Sequence, residues 1–409
     1  MAGSIATVVI IGCAGCTAGR AAGPASAARS SASAAPSSAS AVPLPDRALA
    51  SPGCSTSIAP SPQLSGVRTA TTDVPGNPFG VAVTKDGRWA FVALQQSIEV
   101  LRIGAALAPA RVRVVALPQG SMALGLTLTP DGRYLLAASN AGAVVLDIAR
   151  AEQGAAAGVV LGTLRAPGEA GAIEVAVSPD GTFAFVSEED TDATAVFNLR
   201  LALTRGFGAA DYVGKIPLGV APVGLAVSPD GRWLYATSEV ADNSIRTGTL
   251  TVIDLRRAEI DTASSITAVA DAGCEPVRVI ASADGSQVWV TARASDDVLC
   301  FAAARLPATP SRALVAIVPV GEAPVGLIMV RGGSRIVVAD SNRFGASGAR
   351  SDLGVVDVAA ALAGKPALLG HIPAGKFPRE MALERDGSVL LAGNYMSRQL
   401  EAVSVPTLP

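Results

Sequence analysis

The 409-residue chain contains a single histidine, His371. Schemes that need two imidazoles at one metal or catalytic centre are therefore excluded, and any chemistry must rest on carboxylates, arginine, tyrosine or asparagine. Charge is also scarce, with only 16 % of residues Asp, Glu, Lys or Arg and a net charge of −2. No run of Lys or Arg is present to neutralise phosphates, which sets nucleic acid aside as a partner. Aromatics make up 4 % of a chain that is 50 % hydrophobic, so the mean hydropathy of +0.43 comes from Ala, Val, Leu and Ile. Such a composition excludes a wholly disordered chain. Beyond the N-terminus, Gly, Pro or charged residues interrupt every apolar run well before the roughly 18 residues needed to span a bilayer, and no internal transmembrane helix is expected.

What is present begins with a short apolar run, Ser4 to Gly12, ending in Ile10, Ile11 and Gly12 before Cys13. These residues resemble the lipobox of bacterial lipoproteins, which implies export and lipidation at Cys13, with Cys16 as the alternative. No Lys or Arg precedes Cys13, unlike the usual positive start of a secretory signal. From Ala14 to about Pro62 the chain is almost entirely Ala, Ser, Pro and Gly, with too few large side chains to offset the entropy of folding. Residues 1–16 are thus expected to be an export signal, and 17–63 a disordered tether from membrane to folded domain. The expected location is periplasmic or cell-surface, with membrane contact only through the lipid anchor.

The remainder, 64–409, repeats. Turn glycines at Gly87, Gly132, Gly181, Gly231, Gly285, Gly333 and Gly387 are spaced by 45, 49, 50, 54, 48 and 54 residues, and only the sixth lacks a preceding Asp. Each turn separates short alternating apolar runs, which read as strands in hairpins. The fourth unit shows the pattern best: Pro222 to Ser228, Pro229-Asp230-Gly231, Trp233 to Ser238, then Thr249 to Leu255. Four strands per unit, a to d, indicate an all-β, seven-bladed propeller of four-stranded antiparallel blades. The chain ends in a c strand, while an extra strand, Val67 to Val74, precedes the first a strand. That N-terminal strand is expected to close the ring as the outer strand of the last blade, where an open edge would otherwise remain.

The Pro-Asp-Gly turn, the strand ending Tyr235-Ala236-Thr237-Ser238 and the strand Thr251-Val252-Ile253-Asp254 resemble the YVTN-type repeat of seven-bladed propellers in bacterial and archaeal surface and periplasmic proteins. The resemblance covers 64–409 and implies the fold rather than an activity. Related-looking propellers include lactonases and gluconolactonase-type hydrolases, which work from the channel mouth, often with metal or with Arg and carboxylate groups.

Eight of the 16 aromatics, Trp89, Phe91, Tyr134, Phe183, Phe185, Trp233, Tyr235 and Trp289, fall three or five positions after a turn Asp. Alternation on strand b puts them on one sheet face, as packing between blades. His371 reads as a half-exposed structural residue of an outer strand. A ligand is expected where strand a begins and strand b ends, on one face around the channel. Small residues such as Gly80, Gly125, Gly224 and Gly326 hold the first position of strand a in most blades. Glu174, Arg278, Arg379 and Glu380 break that rule, and departures from a repeat mark places for function. The loops after strand b add Asn140, Glu188, Glu239, Arg293, Asn342, Arg343, Asn394 and Tyr395.

Arg278, Arg293 and Arg379 suit a carboxylate or phosphate as guanidinium forks; the alternative is a solvated channel whose charges pair. The acidic run Glu188, Glu189, Asp190 and Asp192, with Glu239 and Asp242 one blade along, offers oxygen ligands for Ca²⁺ or is simply a charged loop in water. No other cofactor is implied. Cys54, Cys274 and Cys300 allow one disulfide and one odd thiol, and pairing of Cys54 with Cys274 would pin the tether near blade 5. Two functions remain open. One is a monomeric binding module for a protein, a peptide or a small polar or anionic ligand. The other is a lactone hydrolase using Glu174 or Glu380 as general base beside Arg379.

Overall fold

The computed structural model describes residues 43–54, 58–140, 142–155, 157–168, 170–242, 247–345 and 350–409. The expected signal and most of the tether, Cys13 and Cys16 included, lie outside the described residues.

Among the described residues, twenty-eight strands form seven separate four-stranded antiparallel sheets. Six blades take their strands in sequence order. In blade 7, strands Pro378–Leu383, Val389–Asn394 and Gln399–Ser404 are completed by Thr69–Asp73, which pairs antiparallel with the last of them from Thr69↔Val403 to Asp73↔Gln399. The expected closure by the N-terminal strand is therefore the observed one.

The turns between strands a and b explain the repeat. In blades 1 to 5 a Ser or Thr hydroxyl donates to the Asp two positions on, at 2.5–2.6 Å. In blade 4 that carboxylate also accepts the Arg232 N–H, while Ser228 Oγ accepts the Trp233 N–H and starts strand b. Gly231 then sits at φ +70°, a conformation that costs glycine nothing. The sixth turn has Gly332, at φ +63°, where the others have Asp, and its flanking arginines reach the C-terminal segment: Arg331 donates to the Leu408 carbonyl and Arg335 Nε to that of Pro409 at 2.9 Å. The Asp or Asn ending strand c also has a local task. Asp147, Asn198, Asp254 and Asp357 cap short helices, Ile148–Gln153, Leu199–Arg205, Leu255–Ala258 and Val358–Leu362, each accepting a backbone N–H of the first turn.

The core lies between blades. Phe91, Phe185, Tyr235 and Trp289 are fully buried on strand b faces, packed with Val, Leu and Ala of the adjoining sheet. Trp289 satisfies its indole N–H on Gln287 Oε1 at 2.8 Å. The other b-strand aromatics lie nearer the surface, where Arg102, Arg133 and Arg232 cover Trp89, Tyr134 and Trp233.

The described part of the expected tether is bound to the ring, which corrects the boundary at residue 63. Arg47 donates to the Val315 and Ala361 carbonyls, Leu49 N–H to Leu314, and Ala59 N–H to Val320. The Cys54–Cys274 disulfide joins this strap to the end of the outer strand of blade 4, and Cys300 is a buried free thiol. Further along, His371 N–H donates to Pro62 O and Leu64 N–H to His371 O, both at 2.9 Å, while Ser61 Oγ lies 3.0 Å from His371 Nδ1. His371 is thus buried beneath the strap, deeper than the half-exposed position expected of it. An Ala/Ser/Pro-rich segment stays ordered here because it satisfies outer edge strands through backbone bonds.

Candidate functional site

Strands a crowd around the axis so tightly that glycine is a steric requirement. A Cβ on Gly326 would lie 1.9 Å from the Arg379 carbonyl oxygen, one on Gly224 2.7 Å from that of Val277, and one on Gly125 2.6 Å from Glu174 Oε1. Each of these glycines stands one blade before a blade whose first position is charged. At Gly125 in blade 2 the gap is filled by the Glu174 side chain of blade 3, whereas Gly224 in blade 4 and Gly326 in blade 6 admit the backbone at Val277 and Arg379 of the next strand a, as Gly80 does at Leu124.

The four charged residues converge. Arg278 Nε donates to Glu380 Oε1 and lies 3.5 Å from Glu174 Oε2. Its guanidinium also reaches to 6.0 Å from the Phe79 ring of blade 1, so one side chain from blade 5 meets blades 1, 3 and 7 at the channel mouth. Arg278 is 6 % exposed, Glu174 14 % and Glu380 17 %. Burial, followed by the neighbouring Glu380, pushes Glu174 up to about 8, against the pull of Arg278. Glu174 therefore holds a proton near neutral pH.

Arg379 has a different surrounding. Its guanidinium carbon stands 3.9 Å from the Phe79 ring centre, 5.2 Å from Phe377 and 5.8 Å from Tyr395. Burial, and then Arg278, lower its pKa to about 9, which still leaves it cationic near neutral pH. Its Nε, like Arg278 Nη2, is buried without a hydrogen-bond partner among the described residues. An unsatisfied buried donor on a cation is costly, and two of them lie at this one mouth.

The remaining candidates divide. Arg293 is buried and clamped by Glu275 at 2.7 Å and Glu239 at 2.9 Å, making a second cluster at the rim. Tyr395 accepts a hydrogen bond from Gln95 Nε2 at 2.9 Å and meets Phe377 edge-on. Asn394 is fully buried and bonded to Glu401, which makes it a strut rather than a mouth group. Arg343 is exposed and near enough to Arg379 to disfavour its charge. Asn140 and Asn342 turn the chain at φ +50° and +51°; Asn140 donates to Gly120 O and the Asn342 N–H to Glu322 O. In the acidic run, Glu188 turns inward to Lys215 at 2.7 Å and Asp192 accepts the Ala221 N–H at 3.0 Å. Glu189 and Asp190 sit in the turn between them, and no group of three metal-ligating side chains occurs among the described residues.

Phe79, Phe377 and Glu275 were not among the residues expected at the mouth. Their signal was positional. Glu275 and Phe377 precede Pro276 and Pro378, and both take a left-handed backbone, φ +48° and +59°, as do Ala221 and Ala323 in the equivalent loops. A non-glycine residue held there is strained, and the strain places the Glu275 and Phe377 side chains beside Arg293 and Arg379. A hollow of about 530 Å³ opens at the opposite face between blades 7 and 1, lined by residues such as Lys85, Asp86 and Arg385; none of the expected mouth residues borders it.

The model of the lactonase seven-bladed β-propeller family matches residues 60–343, more than two thirds of the chain. The chain belongs to that family. No curated protein matches this family member in sequence. In fold, the lactonase-family propeller is similar to a chain of Kuenenia stuttgartiensis hydrazine synthase, with 18 % identity, a TM-score of 0.65, and coverage of 85 % of this chain and 100 % of that one. A chain of the mitotic checkpoint complex gives 14 % identity and 0.63 over 85 % and 97 %. The β-propeller domain of Myceliophteria thermophila Cps50 (Swd1) gives 14 % and 0.62 over 83 % and 100 %. At these identities the likeness concerns the fold alone.

Proposed function

We propose that this lactonase-family propeller is an exported, tethered binding module whose channel mouth takes a small anionic, polyhydroxylated ligand. The observation that carries this reading is the pair of buried guanidiniums, Arg278 and Arg379, each with an N–H lacking a partner among the described residues. With a proton on Glu174, the guanidiniums outnumber the mouth's remaining carboxylate, Glu380, two to one. A carboxylate fits a guanidinium fork in its plane, and the Phe79 face holds the Arg379 fork in one orientation. Export and tethering are supported by the Cys13 and Cys16 sequence and by a disulfide of the kind that persists in oxidising compartments. Titration calorimetry with gluconate, sulfate and neutral glucose tests the reading. The anions are expected to bind and glucose to bind far more weakly, with Arg379→Met weakening the anions at least tenfold. Equal binding of glucose and gluconate, or an unchanged Arg379→Met protein, would refute it.

A hydrolase is the second reading, favoured by the family and by the proton held on Glu174, since a carboxyl poised near neutral pH suits general acid–base chemistry. Lactone hydrolysis by the purified protein, with and without Ca²⁺, decides it. Activity lost in Glu174→Gln or Glu380→Gln supports those residues as the acid–base pair, and no hydrolysis above background across a lactone panel removes the enzyme reading.

A further inference from the structure

We infer that an anion entering the channel mouth brings one proton with it, taken up by Glu174 whenever the empty site has released that proton. The inference rests on the anion-site reading above and adds its regulation: affinity is set by pH through one named carboxyl.

The geometry requires a shared proton. Glu174 and Glu380 both turn to the same N–H of Arg278. Two ionised carboxylates around one guanidinium N–H, with the rest of that guanidinium occupied or unpaired and water largely excluded, are disfavoured by burial and by their mutual repulsion, which outweigh the pull of Arg278 and Arg379. Glu174 is the one that yields. Its carboxyl is wedged over Gly125, where no Cβ fits, and among the described residues its other acceptor contact is the Val175 N–H at a long 3.4 Å. Glu380, in contrast, has the close bond to Arg278 Nε.

The charged groups that act most strongly on Glu174 are Glu380, which raises its proton affinity, and Arg278 and Arg379, which lower it. On the neighbouring strand of blade 2, Gly125 meets Glu174 with no side chain. A second anion placed on the free N–H groups of Arg278 and Arg379 takes from Glu174 much of the compensation those arginines supply. The carboxylate form then becomes still less favourable, and ligand and proton bind together. By linkage, the same coupling makes the anion leave as the proton leaves.

Sulfate and gluconate serve as probes because neither titrates near neutral pH. Their affinity for the native protein is expected to be flat from neutral pH to about 8 and then to fall about tenfold per pH unit. In that falling range, calorimetry in two buffers of unlike ionisation heat should report about one proton taken up per anion. Glu174→Gln, which imitates the protonated acid in size, should bind with no proton uptake and no pH slope between about pH 8 and 9, below the range in which Arg379 itself loses its charge. Glu380→Gln should retain the slope but move its onset to lower pH. A flat profile in the native protein, or an unchanged slope in Glu174→Gln, overturns the inference.

Infrared spectroscopy of the ligand-free protein separates this outcome from failure of the parent reading. A protonated carboxyl band near neutral pH that vanishes in Glu174→Gln supports the proton assignment. Its absence in the native protein overturns the inference while leaving the anion site intact. Failure of both probe anions to bind at any pH overturns the site itself and the coupling with it.

Discussion

Arg278 on blade 5 and Glu380 on blade 7, 102 residues apart in sequence, are hydrogen-bonded at the axis of the ring. The bond ties non-adjacent blades directly, because Arg278 also approaches Glu174 of blade 3. A propeller normally transmits order only from each blade to the next. Here a charged hub adds cross-ring contacts that a repeat unit cannot encode.

Removing the hub's cation should therefore cost more than removing the whole hub. Arg278→Met leaves Glu174 and Glu380 buried without their main partner, and a loss of roughly 3–5 kcal/mol is expected. The triple variant Arg278→Met, Glu174→Gln, Glu380→Gln orphans no carboxylate, although Arg379 keeps its charge without Glu380, and it should recover part of the loss. Urea denaturation of the three proteins measures the difference. Equal destabilisation of single and triple variants would mean that the charges contribute nothing as a set.

The raised pKa of Glu174 also makes a statement about stability. The folded state holds this proton up to about pH 8, whereas an unfolded glutamate releases it near the ordinary 4.5. Between those values the native state binds more protons than the unfolded chain, so stability falls as pH rises. The contribution is complete below about 4.5 and gone above about 8. Urea midpoints taken across that window should decline more steeply for the native protein than for Glu174→Gln, and parallel curves would contradict the assignment.

Much of this architecture was legible before any coordinates. Seven turn glycines with an Asp before six of them gave the blade count, since a Ser/Thr-x-Asp-Gly turn specifies its own hydrogen bonds. The closing strand followed from a missing d strand in the last unit. Glu174, Arg278 and Glu380 were legible as charges in a position that other blades give to glycine, with Arg379 one position before, although how they meet at the mouth needed the geometry. The strap was legible only at Cys54, because its other bonds to the ring run largely between a side chain and a backbone group, as from Arg47 to Val315 and from Arg305 to Pro45, and such pairings leave no pattern in an Ala/Ser/Pro-rich sequence. The aromatic box around Arg379 was equally hidden. Phe79 and Phe377 lie on loops entering strand a, whereas the periodic aromatics lie on strand b, and periodicity draws attention to the latter.

The steric role of the axial glycines gives a sharper test than any charge change. Gly326→Ala would place a methyl 1.9 Å from the Arg379 carbonyl, and backbone on both sides cannot yield without moving strand a of blade 7. A loss of roughly 1–3 kcal/mol or more is expected, together with weaker anion binding as Arg379 shifts on Phe79. Gly104→Ala is the control, because nothing lies within 4 Å of its Cβ position. Its thermal midpoint should stay within a degree or so of native.

The disulfide offers the last test, because it joins two features that sequence placed in different regions. Cys54 and Cys274 close a loop of 220 residues, and Cys274 directly precedes Glu275, the clamp on Arg293. Breaking such a cross-link should cost roughly 2–5 kcal/mol. The loss should not be spread evenly. Ser51 and Gly53, which bond Gly273 and Ser295 beside the disulfide, would be freed first, whereas the strap on either side keeps its bonds to Leu314, Val320 and His371. Limited proteolysis of a Cys54→Ser, Cys274→Ser protein should then show cleavage concentrated between residues 50 and 58, with 59–64 protected. Faster hydrogen exchange should appear at Cys274 and Arg293, whose N–H groups bond Ser295 and Glu275. Uniform loosening of the whole strap would instead show that the disulfide alone holds it, and that its backbone bonds follow from the cross-link rather than adding to it.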